Sequence, residues 1–236
     1  MSCYKTQLTV LEESAARFGT APAFKVPLID SQSKEILRWE NISYSQFLSD
    51  VEHSARYWSQ RLAADGIASR STVGVWLVTT HPRASVVPML TPFDRLGGMT
   101  YVDVLHIYGI MRAGFVPQMF SLRLPNPSVI FELLSRSCGK ALVYDASFSD
   151  IVTDGPIPTY MAFDIRTSDV SGVYLPPLPK EVNGEDPLLI LHTSGSTSGR
   201  PKLVPLSYAW WDFGLQKSAQ CTKPYNPAKQ DVNVWM

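Results

Sequence analysis

The feature that most constrains this chain is an apolar run that ends abruptly in a loop of small polar residues. Leu188–Leu191 is followed by His192, then by the Ser/Thr/Gly segment Thr193–Gly199, and finally by Arg200-Pro201-Lys202. A short apolar run bounded by turn residues predicts a buried strand. A strand that leads into such a loop can present backbone N–H groups as a concave site for an anion.

The residues of this loop supply the groups that a polyphosphate requires. Glycine permits backbone angles that a side chain would forbid, so phosphate oxygens can approach the backbone closely. The hydroxyls add hydrogen-bond donors, and Lys202 adds a compact positive charge. The ligand that suits these groups best is the β and γ phosphates of ATP. The predicted phosphate contacts are Thr193, Ser194, Gly195, Ser196, Thr197, Gly199 and Lys202.

Three other interpretations of the loop compete with phosphate binding. A Walker P-loop ends in Gly-Lys-Ser/Thr, whereas Gly199 is followed by Arg200 and Pro201. A hydrolase nucleophile elbow, Gly-x-Ser-x-Gly, would need serine where this chain has Thr197, and no Asp-then-His order follows it. A flexible Ser/Gly linker remains an alternative, although such linkers rarely follow directly on an apolar strand.

The loop resembles the phosphate-loop signature of the adenylate-forming (AMP-binding) superfamily. That superfamily includes acyl-CoA synthetases, luciferases and the adenylation domains of non-ribosomal peptide synthetases. The sequence departs from the signature twice, because Ser198 is an extra residue before the second glycine and Leu203 replaces the glycine after the lysine. With His192 before the loop and Leu203–Pro205 after it, the passage is most similar to the reductase-type, synthetase-like adenylation proteins of fungi.

The resemblance implies an α/β fold, namely the N-terminal portion of the large domain of an adenylate-forming enzyme. Its sheet would be mostly parallel, wrapped by helices and truncated mid-strand. The implied reaction is attack of a carboxylate on the α-phosphate of Mg-ATP, which gives acyl-AMP and pyrophosphate. A thioester to coenzyme A or phosphopantetheine would follow. The implied cofactors are ATP and its Mg²⁺, and the implied partners are a small carboxylic acid and carrier-protein and reductase domains in a longer polypeptide.

The resemblance also implies that the chain carries only the phosphate-loop part of the reaction. In the family, the motifs that bind adenine and ribose and the mobile C-terminal domain would follow Met236. Residues 1–236 are therefore expected to form one partial adenylation domain with no catalytic residue of its own, ending in the strand Asp231–Trp235. The isolated chain is expected to show no acid-dependent exchange of pyrophosphate into ATP. The alternative is a non-catalytic, truncated nucleotide-binding fragment.

Composition excludes several other classes of function. The formal net charge is zero and the pI is about 6.9, so there is no basic field for nucleic acid or an anionic membrane. No apolar run is long enough for a secretory signal or a bilayer span. The three cysteines are few and far apart, which indicates reduced thiols and a cytoplasmic protein. The four histidines show no metal-ligand spacing, so no metal held by side chains is expected.

Before the loop, predicted helices and strands alternate with short connections, which favours a parallel sheet covered by helices. Helices are predicted from the capping patterns Thr9-x-x-Glu12, Ser43-x-x-Gln46, Thr100-x-x-Asp103 and Asn126-Pro127, the last with Cys138 facing inward. Strands are predicted at Ala23–Val26, Ile36–Trp39, Thr72–Leu77, Phe115–Met119, Ala141–Tyr144 and Leu188–His192. After the loop, Ser207 is expected to cap a helix whose aromatic cluster, Trp210, Trp211 and Phe213, packs into the core.

Two segments interrupt this alternation. Val78–Arg95 holds three prolines and no sustained period, and it has no counterpart in the resemblance. It is interpreted either as a retained intron or as a genuine surface insertion. Residues 155–187 are rich in Pro, Gly and Asp and are expected to form a weakly structured connection to the strand before the loop. His192 either packs or gates a substrate.

Overall fold

The computed structural model describes residues 4–30, 33, 35–77, 100–121, 124, 126–153, 155–179, 181–193 and 200–221. The strands in these residues are β1 Pro22–Ile29, β2 Ile36–Ser43, β3 Thr72–Trp76, β4 Val116–Met119, β5 Ala141–Tyr144, β6 Thr159–Met161, β7 Pro187–His192 and β8 Leu203–Ser207. The helices are α1 Gln7–Phe18, α2 Tyr44–Ala64, α3 Tyr101–Arg112, α4 Pro127–Arg136 and α5 Tyr208–Cys221, with short 3-10 helices at Ala146–Phe148 and Ile165–Thr167.

The strands form a hairpin and one larger sheet within the described part of the chain. β1 and β2 pair in antiparallel fashion, and the other six strands form a sheet in the order β6-β5-β3-β4-β7-β8. All pairs in that sheet are parallel except β7 with β8. Every residue of the central strand β3 is buried, as expected for a parallel strand covered on both faces. The predicted α/β class with a mostly parallel sheet is therefore confirmed.

Helix starts follow the capping chemistry of the sequence in three cases. The Ser43 hydroxyl accepts from the backbone of Gln46, Thr100 and Asp103 form a capping box, and Asn126 caps α4 with Pro127 at its first position. The start predicted from Thr9 is wrong, because α1 begins three residues earlier, at the cap Thr6. There the Thr9 hydroxyl accepts from the Thr6 N–H at 3.0 Å, so Thr9 is the inner member of the capping box.

The two faces of the sheet carry different helices. On one face α1, α2 and α3 enclose the larger core, which includes Trp58 and Leu105. On the other face α4 packs its buried Leu133 and Leu134 over Trp76, whose ring stacks on Phe148. The described helices thereby cover the sheet on both faces.

Two expectations about local packing are wrong. Trp210 and Phe213 of α5 are 55% and 60% exposed, whereas Tyr208 and Trp211 of the same helix pack against the larger core. Cys138 is also exposed, since α4 ends at Arg136 and Cys138 takes a left-handed backbone conformation with φ of 56°. The connection 155–187, expected to be weakly structured, includes the short strand β6, which pairs with β5.

Two predicted segments lie outside the described residues. They are Val78–Arg95, interpreted as an intron or an insertion, and the final strand Asp231–Trp235. In the part of the chain that the structure covers, no helix combines the length and apolar character needed to cross a membrane.

Candidate functional site

The candidate site lies where the carboxyl ends of β4 and β7 meet at one edge of the sheet. The chain passes from β3 through α3 to β4 on one side of β3, and then through α4 to β5 on the other side. Such a reversal of strand order leaves a crevice beyond the carboxyl ends of the strands, where open α/β sheets bind ligands. β7 lies next to β4, so the loop that follows β7 begins at this edge.

The structure brings the two ends of the predicted phosphate loop together. The backbone N–H of Thr193 donates to the carbonyl of Lys202 at 2.9 Å, and the N–H of Lys202 donates to the Thr193 hydroxyl at 3.1 Å. His192 pairs with Leu203 in the ladder just below them. The other predicted contacts, Ser194, Gly195, Ser196, Thr197 and Gly199, lie outside the described residues.

The antiparallel strand β8 was not predicted, and it explains how the loop ends are held. β8 follows Lys202 directly and pairs with β7 over five residue pairs, including Pro205 with Ile190. Proline is tolerated here because β8 is the last strand of the described sheet and has a side without a ladder. The chain therefore enters the loop at Thr193 and leaves it at Lys202 from two adjacent strands that pair with each other.

His192 is held by three neighbours at the base of this hairpin. Its Nε2 lies 3.0 Å from the backbone N of Ser121, and its Nδ1 lies 3.2 Å from the carbonyl oxygen of Thr193. The ring also stacks on Phe120 with centroids 6.1 Å apart. Because a backbone N–H can only donate and a carbonyl can only accept, Nε2 is the unprotonated nitrogen and Nδ1 carries the proton.

A small depression of about 330 Å³ opens beside the hairpin base. Arg136 of α4 reaches across it and donates from Nη1 to the carbonyl of Pro201 at 3.0 Å. Arg200 and Lys202 line the depression from the hairpin, while Glu132 lines it from α4. Three cationic side chains thus face one carboxylate, which gives the depression a net positive charge suited to an anion.

Sequence reasoning missed Arg136. The residue stands 65 positions from Pro201, and nothing local marks it as a partner of the loop. The available signal was the i, i+4 spacing of Glu132 and Arg136 on a helix whose opposite face is buried, which places both side chains on its outer face. That pattern predicts solvent exposure but not which loop lies opposite.

The strongly shifted acids and bases lie away from this site. Burial lowers the pKa of His106 to about 4, and burial raises the pKa of Asp103 above its ordinary value. The hydrogen bonds from Arg166 lower the pKa of Asp164. Asp145 accepts from the backbone of Ser147 as the cap of a 3-10 helix. Across the described residues there is no group of three or more His, Cys, Asp or Glu side chains that could hold a metal ion.

Comparison with known proteins gives relatives of one kind. No protein-family model matches the chain. The chain is 30% identical over 206 residues to the AMP-binding domain-containing enzyme iboA of Amanita muscaria, a match that spans 85% of this chain and 36% of that protein. It is 29% identical over 217 residues to acetyl-coenzyme A synthetase 1 of Debaryomyces hansenii, spanning 83% of this chain and 30% of that protein.

Solved structures agree on the fold. The N-terminal domain of FACL13 from Mycobacterium tuberculosis superposes with a TM-score of 0.56 at 20% identity, covering 86% of this chain and 44% of that one. The chain spans about a third of the length of the curated relatives that it matches. In sequence and in fold, the chain corresponds to the N-terminal part of the adenylate-forming, or AMP-binding, enzymes.

Proposed function

We propose that this chain supplies the phosphate-binding part of an enzyme that activates a carboxylic acid with ATP, forming acyl-AMP and pyrophosphate. The observation that carries the proposal is the hairpin base, where Thr193 and Lys202 are joined by two hydrogen bonds at the carboxyl edge of the sheet. A hairpin closed in this way anchors both ends of a Ser/Thr/Gly loop at the edge where open α/β sheets bind nucleotides.

In this proposal the loop holds the phosphates of ATP. Thr193, Ser194, Gly195, Ser196, Thr197 and Gly199 supply hydroxyl and backbone donors, and the exposed Lys202 supplies positive charge. The positively charged depression beside Lys202 fits a triphosphate, whose Mg²⁺ would arrive bound to the nucleotide. Displacement at phosphorus depends mainly on positioning and on stabilising charge, and these are the tasks that such a loop can perform.

The proposed substrate, acceptor and further partners are inferred from the relatives. One relative is named as an acetyl-coenzyme A synthetase and another as an AMP-binding domain-containing enzyme. We therefore propose a small carboxylic acid as substrate and coenzyme A or a carrier-protein phosphopantetheine as acceptor. Carrier-protein and reductase domains in a longer polypeptide, and a cytoplasmic location, belong to the same proposal.

Binding of inorganic tripolyphosphate to the chain tests the phosphate site directly. Lys202→Ala should weaken the affinity at least about tenfold, because a charge-assisted hydrogen bond contributes about 1.5–3 kcal/mol. Lys217→Ala is the matched control, since it removes one lysine from α5, where the ammonium lies over the Phe213 ring. Equal affinities for both variants, measured by titration calorimetry on folded protein, would refute the phosphate site.

A second experiment separates catalysis from binding alone. The alternative function is a non-catalytic fragment that holds nucleotide phosphates without activating an acid. Acid-dependent exchange of labelled pyrophosphate into ATP, measured on this chain with a panel of aryl, acyl and amino acids, tests whether the chain completes the reaction by itself. No exchange is expected, because the chain spans about a third of the length of the curated relatives that it matches. Exchange that exceeds the Lys202→Ala background would overturn both this expectation and the non-catalytic fragment.

A further inference from the structure

The described ladder between β4 and β7 is short at the site. Within the described residues these two strands share one register pair, Gln118 with Ile190, whereas β7 and β8 share five. The described ladder between β4 and β7 therefore stops three residues before Thr193, where the loop begins. A loop that must keep phosphates in register with the sheet needs a further connection at this point.

The His192 side chain provides that connection. It lies two residues beyond Ile190 on β7, and Ser121 lies three residues beyond Gln118 on the β4 side. The Ser121 N–H donates to Nε2 at 3.0 Å, and the Phe120 ring stacks on the imidazole. The imidazole thus extends the link between the strands past the end of their ladder.

The same ring controls the first peptide of the loop. Nδ1–H donates to the Thr193 carbonyl at 3.2 Å, and a peptide unit is planar, so fixing this carbonyl fixes the plane in which the loop begins. The Thr193 N–H and hydroxyl are already bound to the backbone of Lys202. Thr193 is therefore held from both sides, by β8 through Lys202 and by the β4 edge through His192.

We propose that His192 is a positioning residue for the phosphate site. As the Nδ1–H tautomer it couples the loop after β4 to the Thr193 carbonyl, and so sets the orientation in which the loop meets a phosphate. This inference rests on the phosphate-binding function proposed above. His192 acts through Thr193 and does not itself contact the ligand.

Two substitutions separate the hydrogen bonds from the packing. His192→Phe keeps an aromatic ring against Phe120 but removes both hydrogen bonds. His192→Asn retains an N–H donor close to the Nδ1 position, so it can still bind the Thr193 carbonyl. Because each hydrogen bond contributes a net of about 1 kcal/mol, tripolyphosphate affinity should fall by up to about 30-fold in His192→Phe, which loses both bonds, and by up to about fivefold in His192→Asn, which loses one.

Two further measurements distinguish a positioning role of His192 from a merely structural one. His53→Phe is the matched control, since His53 also makes a side-chain contact, 3.0 Å from the Ser168 hydroxyl, but lies on α2. It should leave the affinity unchanged. In the ligand-free wild type, long-range ¹H–¹⁵N correlation spectra should show Nε2 of His192 as the unprotonated nitrogen. Titration with tripolyphosphate should shift the Ser121 amide resonance in the wild type and not in His192→Phe.

The outcomes distinguish failure of this inference from failure of the proposed function on which it rests. A wild type that does not bind tripolyphosphate overturns both proposals. A wild type whose affinity depends on Lys202, together with a folded His192→Phe that binds as tightly, overturns the inference alone. An Nε2–H tautomer in the wild type also overturns it, since that nitrogen could not then accept from Ser121.

Discussion

Gly109 of α3 lies directly against Ser54 of α2, and a Cβ at Gly109 would overlap the Ser54 hydroxyl. The same Cβ would stand 3.0 Å from the carbonyl carbon of Ser54, so the obstacle includes backbone. The Ser54 hydroxyl donates to the Leu105 carbonyl at 2.8 Å, which ties the two helices together at this point. The close approach of α2 and α3, on which the larger core depends, therefore requires a residue without a side chain at position 109.

Gly109→Ala should destabilise the protein although alanine is the better helix former. Alanine gains about 1 kcal/mol in helix propensity, but the overlap forces α2 and α3 apart and costs about 1–3 kcal/mol from overpacking, plus the Ser54 hydrogen bond. The net loss should be about 2 kcal/mol in the free energy of unfolding, measured with urea.

Gly214→Ala is the control for helix propensity. Gly214 lies in α5, and a Cβ there would meet nothing within 4 Å. This variant should be neutral or more stable by up to about 1 kcal/mol. If both alanine variants were stabilised alike, the contact between Gly109 and Ser54 would not constrain the helices.

Tyr101→Phe should lower the free energy of unfolding, because it removes one hydrogen-bond donor from a buried carboxylate. The Tyr101 phenol donates to Asp50 Oδ2 at 2.8 Å, and Gln46 donates to the other oxygen of the same buried carboxylate. Removing one donor leaves a buried acceptor unsatisfied, which costs about 1–3 kcal/mol. Urea unfolding should show this loss, whereas Tyr174→Phe, at a side chain that is 76% exposed, should show almost none. Equal stability of the two variants would contradict the role of this hydrogen bond.

The sequence predicts the fold best where a cause lies within a few residues. The caps Ser43, Thr100 and Asn126 each act on a backbone group two or three positions away, and all three are confirmed. The start of α1 is ambiguous, because both Thr6-x-x-Thr9 and Thr9-x-x-Glu12 are capping patterns. The helix begins at the earlier pattern, with Thr6 as its cap, and this start places both Leu8 and Leu11 of α1 in the core.

Contacts between distant segments could not be predicted from the sequence. Trp210 and Phe213 have core-forming composition, but their exposure depends on what packs against α5. The strand β8 escaped prediction because Pro205 argues against a strand unless the strand is known to lie at an edge. At the site, the sequence predicted the loop, and the structure joins its ends, Thr193 and Lys202. Phosphate contact by the seven predicted residues stays a prediction, as do the alternatives for Val78–Arg95.

His106 should make stability fall in mild acid. It is buried between α3 and the segment before the second 3-10 helix, where Nε2–H donates to the Phe163 carbonyl at 2.9 Å. Burial disfavours the charged form and lowers the pKa of His106 to about 4, whereas in the unfolded chain its pKa is about 6.5. Between these values the unfolded chain binds more protons than the folded one. The stability associated with a neutral His106 is therefore complete above pH 6.5 and is lost as the pH falls towards 4.

His106→Gln tests this pH dependence, because glutamine can donate a hydrogen bond but does not titrate. The full loss for the wild type should be about 3 kcal/mol, at about 1.4 kcal/mol for each pH unit in that window. Urea unfolding at pH 7, 5.5 and 4.5 should show a smaller decline for the variant than for the wild type. Parallel declines would assign the acid sensitivity to other groups.

Arg136 should contribute to phosphate affinity through the hairpin and through its charge. Its guanidinium donates to the Pro201 carbonyl next to Lys202, and it lines the positively charged depression. Arg136→Gln removes the charge but keeps an N–H donor on a shorter side chain, whereas Arg136→Ala removes both. Because an exposed charge at the rim of a site contributes at most about 1 kcal/mol, tripolyphosphate affinity should fall about three- to fivefold in Arg136→Gln at low salt. The difference from wild type should shrink as the ionic strength rises to about 0.5 M, where exposed charges are screened over a few ångströms. Arg136→Ala should lose somewhat more at every salt concentration.

Arg17→Gln, at an exposed arginine over the Phe18 ring of α1, is the control for net charge and should bind as the wild type does. Equal losses for Arg136→Gln and Arg17→Gln would assign the effect to overall charge rather than to the hairpin.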